Sequence, residues 1–168
     1  MMISSISPST IPSTGGVILT LIGNGFNPET TVEIESEISC DFISLDYDIV
    51  AKEQSFKCNV AKGVFTNIAI ASYEIVVLSI DPADLSEMES KSSISVDPKL
   101  DPIISSLSPT RGGSAGGTRL TITGQNFDIG TGVTVTIHRV VCDVQSVMAT
   151  QIVCETNSYA GEKGGLLF

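Results

Sequence analysis

The sequence predicts an all-β chain built as two similar sandwiches in tandem. Three observations lead there: a composition suited to strands and turns, a segment pattern that recurs once at constant spacing, and a proline-containing link between the copies. Among 168 residues tryptophan is absent, aromatic residues make up 5%, and Val, Ile, Thr and Ser are prominent. Branched side chains pack well on pleated surfaces, and recurrent Gly and Pro punctuate such surfaces with turns. A chain of this length holds either one large domain or two small ones.

The repeat decides between them. Ile3-Ser4-Ser5-Ile6-Ser7-Pro8 returns as Ile104-Ser105-Ser106-Leu107-Ser108-Pro109, and Gly15-Gly16 returns as Gly116-Gly117. Leu19-Thr20 returns as Leu120-Thr121, and Gly23 and Phe26 return as Gly124 and Phe127. One offset relates every pair, without a gap. Two copies of one structural unit produce that pattern; chance does not.

Each copy opens on a short apolar strand that stops at Ser-Pro, because proline removes a ladder donor. A Gly-rich turn follows, ending at Gly16 or Gly117. Next comes a strand over Val17–Ile22 or Thr118–Thr123; in the second, Leu120 and Ile122 alternate with polar residues. Gly23-Asn24-Gly25-Phe26 and Gly124-Gln125-Asn126-Phe127 then read as turns. Their first glycine is expected to supply a positive φ, and their phenylalanine to plug the core. Another alternating strand covers Thr31–Ile34 or Val133–Ile137. Short strands spaced by turn signals indicate a sandwich.

The first copy continues into a final hairpin, Tyr73–Leu78 with Ser93–Val96, and the acidic Pro82–Lys91 between them is expected to be a loop. The boundary falls in Asp97-Pro98-Lys99-Leu100-Asp101-Pro102, dividing residues 1–98 from 99–168. Its two Asp-Pro steps favour an extended link. After Cys154 only Glu155–Phe168 remain, so the second copy is expected to be C-terminally truncated, without its last hairpin. Leu166-Leu167-Phe168 is then an apolar end lacking a partner strand.

The net charge of −10 disfavours binding to nucleic acid or to anionic lipid. No stretch approaches the roughly 18 apolar residues of a membrane span. The opening MMISSISPST has no basic region followed by an apolar core, so a signal peptide, if one exists, is expected upstream. Asp41, Asp46 and Asp48, with Asp97 and Asp101 at the link, read as solvated carboxylates; a calcium clamp is the sharper alternative, but no run has EF-hand spacing. Gly112-Gly113-Ser114-Ala115-Gly116 matches the hydrolase elbow, yet a Ser-Pro-Thr-Arg segment precedes it and a strand follows, so it reads as a turn. His138, the one histidine, has no partners for a triad or metal site and reads as an edge residue beside Arg139. Arg111 and Arg119 could meet an acidic patch, though scattered surface charge is the default. No catalytic residue, metal ligand or cofactor is expected, and no Asn-x-Ser/Thr acceptor occurs.

The Ile-Ser-Ser-Leu-Ser-Pro start, the run from Gly116 to Phe127, the valine-rich strand and Ile152-Val153-Cys154-Glu155-Thr156 resemble the IPT/TIG domain. That family occurs in plexins, growth-factor receptors, fibrocystin-like proteins and some transcription factors. The resemblance implies immunoglobulin-like sandwiches with no catalytic residues. Tandem units on so short a link, each with its own cysteine pair, are most similar to the long arrays of fibrocystin-like proteins. The cysteines are Cys40 and Cys58 in the first copy and Cys142 and Cys154 in the second. We expect disulfides Cys40–Cys58 and Cys142–Cys154, each closing a hairpin-sized loop. Such a cross-link contributes roughly 3 kcal/mol in the chain-entropy model. No Cys-x-x-Cys supports zinc or redox chemistry. Two free thiols per module in a cytosolic protein remain the alternative, and paired placement favours an oxidising, extracellular site.

The function expected is therefore that of a non-catalytic structural or interaction module in a cell-surface ectodomain. Its partners would be another protein or neighbouring IPT domains of the same chain, with no nucleic acid and no direct membrane contact. A plexin-type ligand-binding stalk is one alternative. An intracellular domain used for dimerisation, as in transcription factors, is the other.

Overall fold

Successive side chains of a strand point to opposite faces, and where one face lies over a core this period of two sets the architecture. A computed structural model describes residues 1–35, 38–62, 65 and 71–159, and the backbone of 166–167. The chain divides into two units, Met1–Asp101 and Pro102–Phe168.

The first unit contains β1 (Met2–Ser7), β2 (Thr10–Ile11), β3 (Ile18–Asn24), β4 (Thr31–Ile34), β5 (Ile38–Asp48), β6 (Glu53–Val60), β7 (Ala71–Ile80) and β8 (Glu87–Val96). Their order is β1-β3-β6-β5-β4-β7-β8-β2. β5 pairs with β4 through Ile38 and Ser39 and with β6 from Cys40 onward, so it passes from one layer to the other. Leu19, Leu21, Phe56, Cys58 and Val60 face inward from one layer, and Val32, Ile34, Ile75, Val77, Ile94 and Val96 from the other; all are buried. Each large apolar side chain so buried contributes about 1.5–3 kcal/mol. Phe26 plugs the end of this core, its ring 5.7 Å from that of Phe56.

The second unit contains β9 (Ile103–Ser108), β10 (Arg111–Gly112), β11 (Arg119–Gln125), β12 (Val135–Ile137), β13 (Val140–Met148), β14 (Gln151–Thr156) and β15 (Leu166–Leu167). Its main sheet runs β12-β13-β14-β11-β9. Leu120, Ile122, Phe127, Cys142, Ile152 and Cys154 form the core, with Leu107, Val133, Val135, Ile137 and Val144 partly buried against it.

The repetition extends to irregularities that residue identities do not announce. β1 carries one unmatched residue, Ser4, opposite β3, and β9 carries Ser105 opposite β11. β5 is likewise bulged at Ile43 against β6, and β13 at Gln145 against β14. In both units paired glycines with positive φ (Gly15-Gly16, Gly116-Gly117) turn the chain into β3 or β11. The second of each pair donates its N–H across the sheet, Gly16 to the Val60 carbonyl and Gly117 to that of Thr156.

Four expectations need correction. Gly23 and Gly124 lie within strands, not at turns of positive φ. They are small because the neighbouring bulged strand crosses close by: a Cβ would lie 2.0 Å from the Met2 carbonyl oxygen at Gly23, and 1.9 Å from that of Ile103 at Gly124. Positive φ falls instead at Gly25 and Asn126.

Pro82–Lys91 is not a loop throughout. Only the turn before Glu87 is irregular, and Glu87–Lys91 begins β8, in register with β7 from Ile80↔Glu87 to Val76↔Lys91. Glu and Lys are poor strand formers, but here they lie on an exposed surface where ladder pairing decides.

The link is not extended throughout. Asp97 and Asp101, each preceding a proline, are extended, but Pro98–Leu100 forms a 3-10 turn capped by the Asp97 side chain on the Lys99 N–H. The Asp97 N–H also donates to the Ile11 carbonyl, and Asp101 is bonded by the Ser13 hydroxyl and the Thr14 N–H, so this segment is part of the first unit.

Leu166–Leu167 does have a partner: it pairs antiparallel with Arg111–Gly112. In the first unit the matching strand β2 pairs parallel with β8. Phe168 lies outside the described residues.

Candidate interaction surface

The cysteines lie at the base of equivalent hairpins. Phe42 is opposite Cys58 and Cys40 opposite Val60, so Cys40 and Cys58 are diagonal neighbours on the inward face. They are bonded, with Cα atoms 5.3 Å apart. Val144 is opposite Cys154 and Cys142 opposite Thr156, the same diagonal, and this pair is bonded with Cα atoms 5.6 Å apart. All four cysteines are buried. The covalent link therefore ties adjacent strands inside each core, where thiol reagents have little access.

Beyond this common base the hairpins differ. The sequence separations of 18 and 12 give the first hairpin six extra residues. In the second unit β13 and β14 turn through Ala149-Thr150. Backbone carbonyls of that turn accept the N–H groups of Phe127 (3.1 Å, from Ala149) and Gly124 (2.9 Å, from Thr150). In the first unit the longer hairpin carries its turn past the corresponding loop. The Gln54 side chain substitutes: its Oε1 accepts the Gly25 and Phe26 N–H groups, both at 2.8 Å, and its Nε2 donates to the Phe26 carbonyl at 2.8 Å. The planar amide thus does for Phe26 what the Ala149 carbonyl does for Phe127, and holds the Gly25 N–H as well.

The projecting tip is ordered by its own polar groups. The Asp48 carboxylate accepts the Val50 N–H at 2.8 Å and the Ala51 N–H at 3.0 Å. Those bonds, Ala51 first, hold its pKa below the ordinary carboxylate value of 3.8. The Ser4 hydroxyl donates to Glu53 at 2.9 Å, and Lys57 faces Asp46 across the strands at 3.7 Å. Both ends of that ion pair are solvated, so it contributes little stability. On this framework Tyr47, Ile49 and Val50 are 59%, 80% and 93% exposed. Asp46, Tyr47, Asp48, Ile49, Ser55 and Lys57 border a shallow depression beside the tip.

Charge is divided unevenly between the units. Met1–Asp101 holds fifteen carboxylates against five lysines, whereas Pro102–Phe168 holds four acidic and four basic residues. The whole net charge of −10 therefore belongs to the first unit. On its outer sheet Lys91 lies 3.3 Å from Glu89 and 3.4 Å from Glu74, which together raise its pKa above the usual lysine value.

The other sequence candidates take structural places. Asp97 and Asp101 cap the turn of the link, and Asp48 caps the hairpin, so these carboxylates are engaged by backbone donors. Among the described residues no group of three or more potential ligands gathers to hold a metal. The elbow-like Gly112–Gly116 segment is a turn, with the Gly116 N–H donating to the Gly113 carbonyl and β11 following. His138 and Arg139, both with positive φ, form the two-residue turn joining β12 to β13, and the His138 ring packs edge-on against Tyr159 at 5.6 Å. Arg119 is opposite Glu155 across β11 and β14, and Arg111 lies in β10. Sequence reasoning missed Gln54, Tyr47, Ile49 and Val50; the unequal cysteine spacings were the available signal.

Comparison with known proteins agrees with this architecture. The sequence model of the IPT/TIG domain matches residues 1–96 and again 102–167. The chain is 32% identical to human Fibrocystin-L over 160 residues, covering 94% of this chain, and 30% identical to the mouse protein over 158 residues. It is also 30% identical to rat Plexin-A3 over 155 residues, 90% of this chain. It spans 4% of the length of human Fibrocystin-L and 8% of that of rat Plexin-A3. With one match over each unit, the chain belongs to the IPT/TIG domain family.

Proposed function

We propose that these two modules serve as a non-catalytic structural and interaction segment on the extracellular side of a cell-surface protein. The observation that carries this reading is the pair of buried disulfides on one diagonal of equivalent hairpins. A bond that recurs in register in both copies is part of the unit's design, and structural disulfides persist in oxidising compartments. Each braces a small core that would otherwise be marginal. Function then lies in loop tips and strand edges held out from a stiff scaffold.

The similarity to Fibrocystin-L over nearly the whole chain favours an array of such modules. The similarity to Plexin-A3 favours a ligand-binding stalk as the second reading. Thiol counting on unreduced, denatured protein made in a secretory host tests the extracellular assignment. Protected cysteines support it; four alkylatable thiols would replace it with an intracellular domain used for dimerisation. Neighbouring sequence separates the first two readings, since further IPT modules indicate an array and a cysteine-rich module with a propeller indicates a stalk.

A further inference from the structure

We propose that the β5–β6 hairpin of the first unit is a docking edge for an extended, basic segment of a partner protein. This deepens the interaction reading above and rests on it. Four observations converge on the hairpin. It exceeds its counterpart by six residues, and that surplus supplies nothing to the core. Instead it holds Ile49 and Val50 in solvent, with Tyr47 beside them and Phe42 half-exposed at the base. Isolated exposed apolar residues are ordinary, but a contiguous group on one projection marks an interaction site.

The hairpin is also pre-organised. The disulfide fixes its base, Gln54 ties it to the Gly25-Phe26 loop, and Asp48 closes its turn. A fixed tip loses little further entropy on binding. From Phe42 to Asp48, β5 pairs only with β6 among the described residues, leaving its other side as an open edge. An added strand finds main-chain partners there, and alternate side chains set specificity.

Charge selects the occupant. Asp41, Asp46, Asp48 and Glu53 outnumber Lys52 and Lys57 on this hairpin, within a unit that carries the whole excess of −10. A second copy docking edge to edge would bring like charges together. Lysine or arginine alternating with apolar residues would instead place cations towards Asp46 and Asp41, and apolar groups towards Tyr47.

The test titrates isotope-labelled chain with a short synthetic peptide alternating lysine and valine, followed by amide shifts and amide exchange. A peptide with glutamate in place of lysine is the control. The expected result is shifts confined to 42–52, slowed exchange along β5, weakening with salt, and no response to the control peptide. Ile49→Ser with Val50→Ser, and separately Asp41→Lys with Asp46→Lys, should each weaken binding about tenfold or more. All four side chains are exposed, so both variants should keep the parent spectrum elsewhere. Shifts centred on β7 and β8, affinity unchanged in both variants, or no binding of the lysine peptide would overturn the proposal. So would self-association through this edge in ultracentrifugation. Thiol counting is independent of all these outcomes, so loss of the docking edge and loss of the extracellular reading are separately detectable.

Discussion

Replacing Gln54 by alanine removes three hydrogen bonds at one stroke, those to the Gly25 N–H, the Phe26 N–H and the Phe26 carbonyl, each 2.8 Å long. A typical bond of this kind contributes about 0.5–1.5 kcal/mol net. Gln54 is half-buried and Gly25 is exposed, so water recovers part of the loss, which points to a total near 2 kcal/mol rather than the upper limit. Phe26 amplifies the effect because its buried ring depends on that loop for its seat against Phe56. For a unit of about 100 residues, 2 kcal/mol lowers Tm by roughly 8–16 °C. Urea denaturation followed by amide signals of the first unit measures the change, and the second unit's signals serve as an internal control. Gln54→Glu sharpens the test. Its carboxylate keeps both N–H bonds but sets a lone pair against the Phe26 carbonyl, so it should be destabilised at pH 7 and recover as it protonates in mild acid. A loss under about 0.5 kcal/mol for Gln54→Ala, or no pH dependence for Gln54→Glu, would refute the view that this amide takes the place of the Ala149 turn carbonyl of the second unit.

Gly124→Ala should unfold the second unit while leaving the first intact in proton NMR, since its Cβ would fall 1.9 Å from the Ile103 carbonyl oxygen. Gly117→Ala meets no atom within 4 Å but holds φ at +74°, so urea titration should find a cost of only about 1 kcal/mol. Reduction should lower both units by roughly 3 kcal/mol in the loop-entropy model, slightly more for the 18-residue separation than for the 12-residue one, as read by calorimetry with and without reductant. The Asp48 carboxylate should titrate below its ordinary 3.8, visible at the Val50 and Ala51 amides; its contribution is complete above that unfolded value and lost as pH falls through the folded one. A midpoint at or above 3.8 would contradict the cap.

The parts legible in the sequence were those where one residue type answers one geometric demand. Ser-Pro ended β1 and β9, the double glycines turned the chain with positive φ, and Phe26 and Phe127 closed the cores. Elsewhere the demand came from a distant segment. Gly23 and Gly124 look like turn residues, yet what they avoid is the carbonyl of a bulged neighbouring strand, visible only once β1 and β9 are in place. Glu87–Lys91 looks like a solvated loop because its composition is charged, and β7 imposes the strand on it. The Gln54 clamp left no local pattern, since it compensates for a turn moved away by inserted residues. The insertion was nonetheless present in the unequal cysteine spacings, which is where the candidate surface lies.

Mass spectrometry of unreduced protein, treated with an alkylating reagent under denaturing conditions, bears most directly on the braced-sandwich account. The account predicts a mass lacking four hydrogens relative to the reduced chain, no added alkyl groups, and proteolytic fragments joining Cys40 to Cys58 and Cys142 to Cys154. Four alkylated cysteines, or a bond linking one unit's cysteine to the other's, would contradict it.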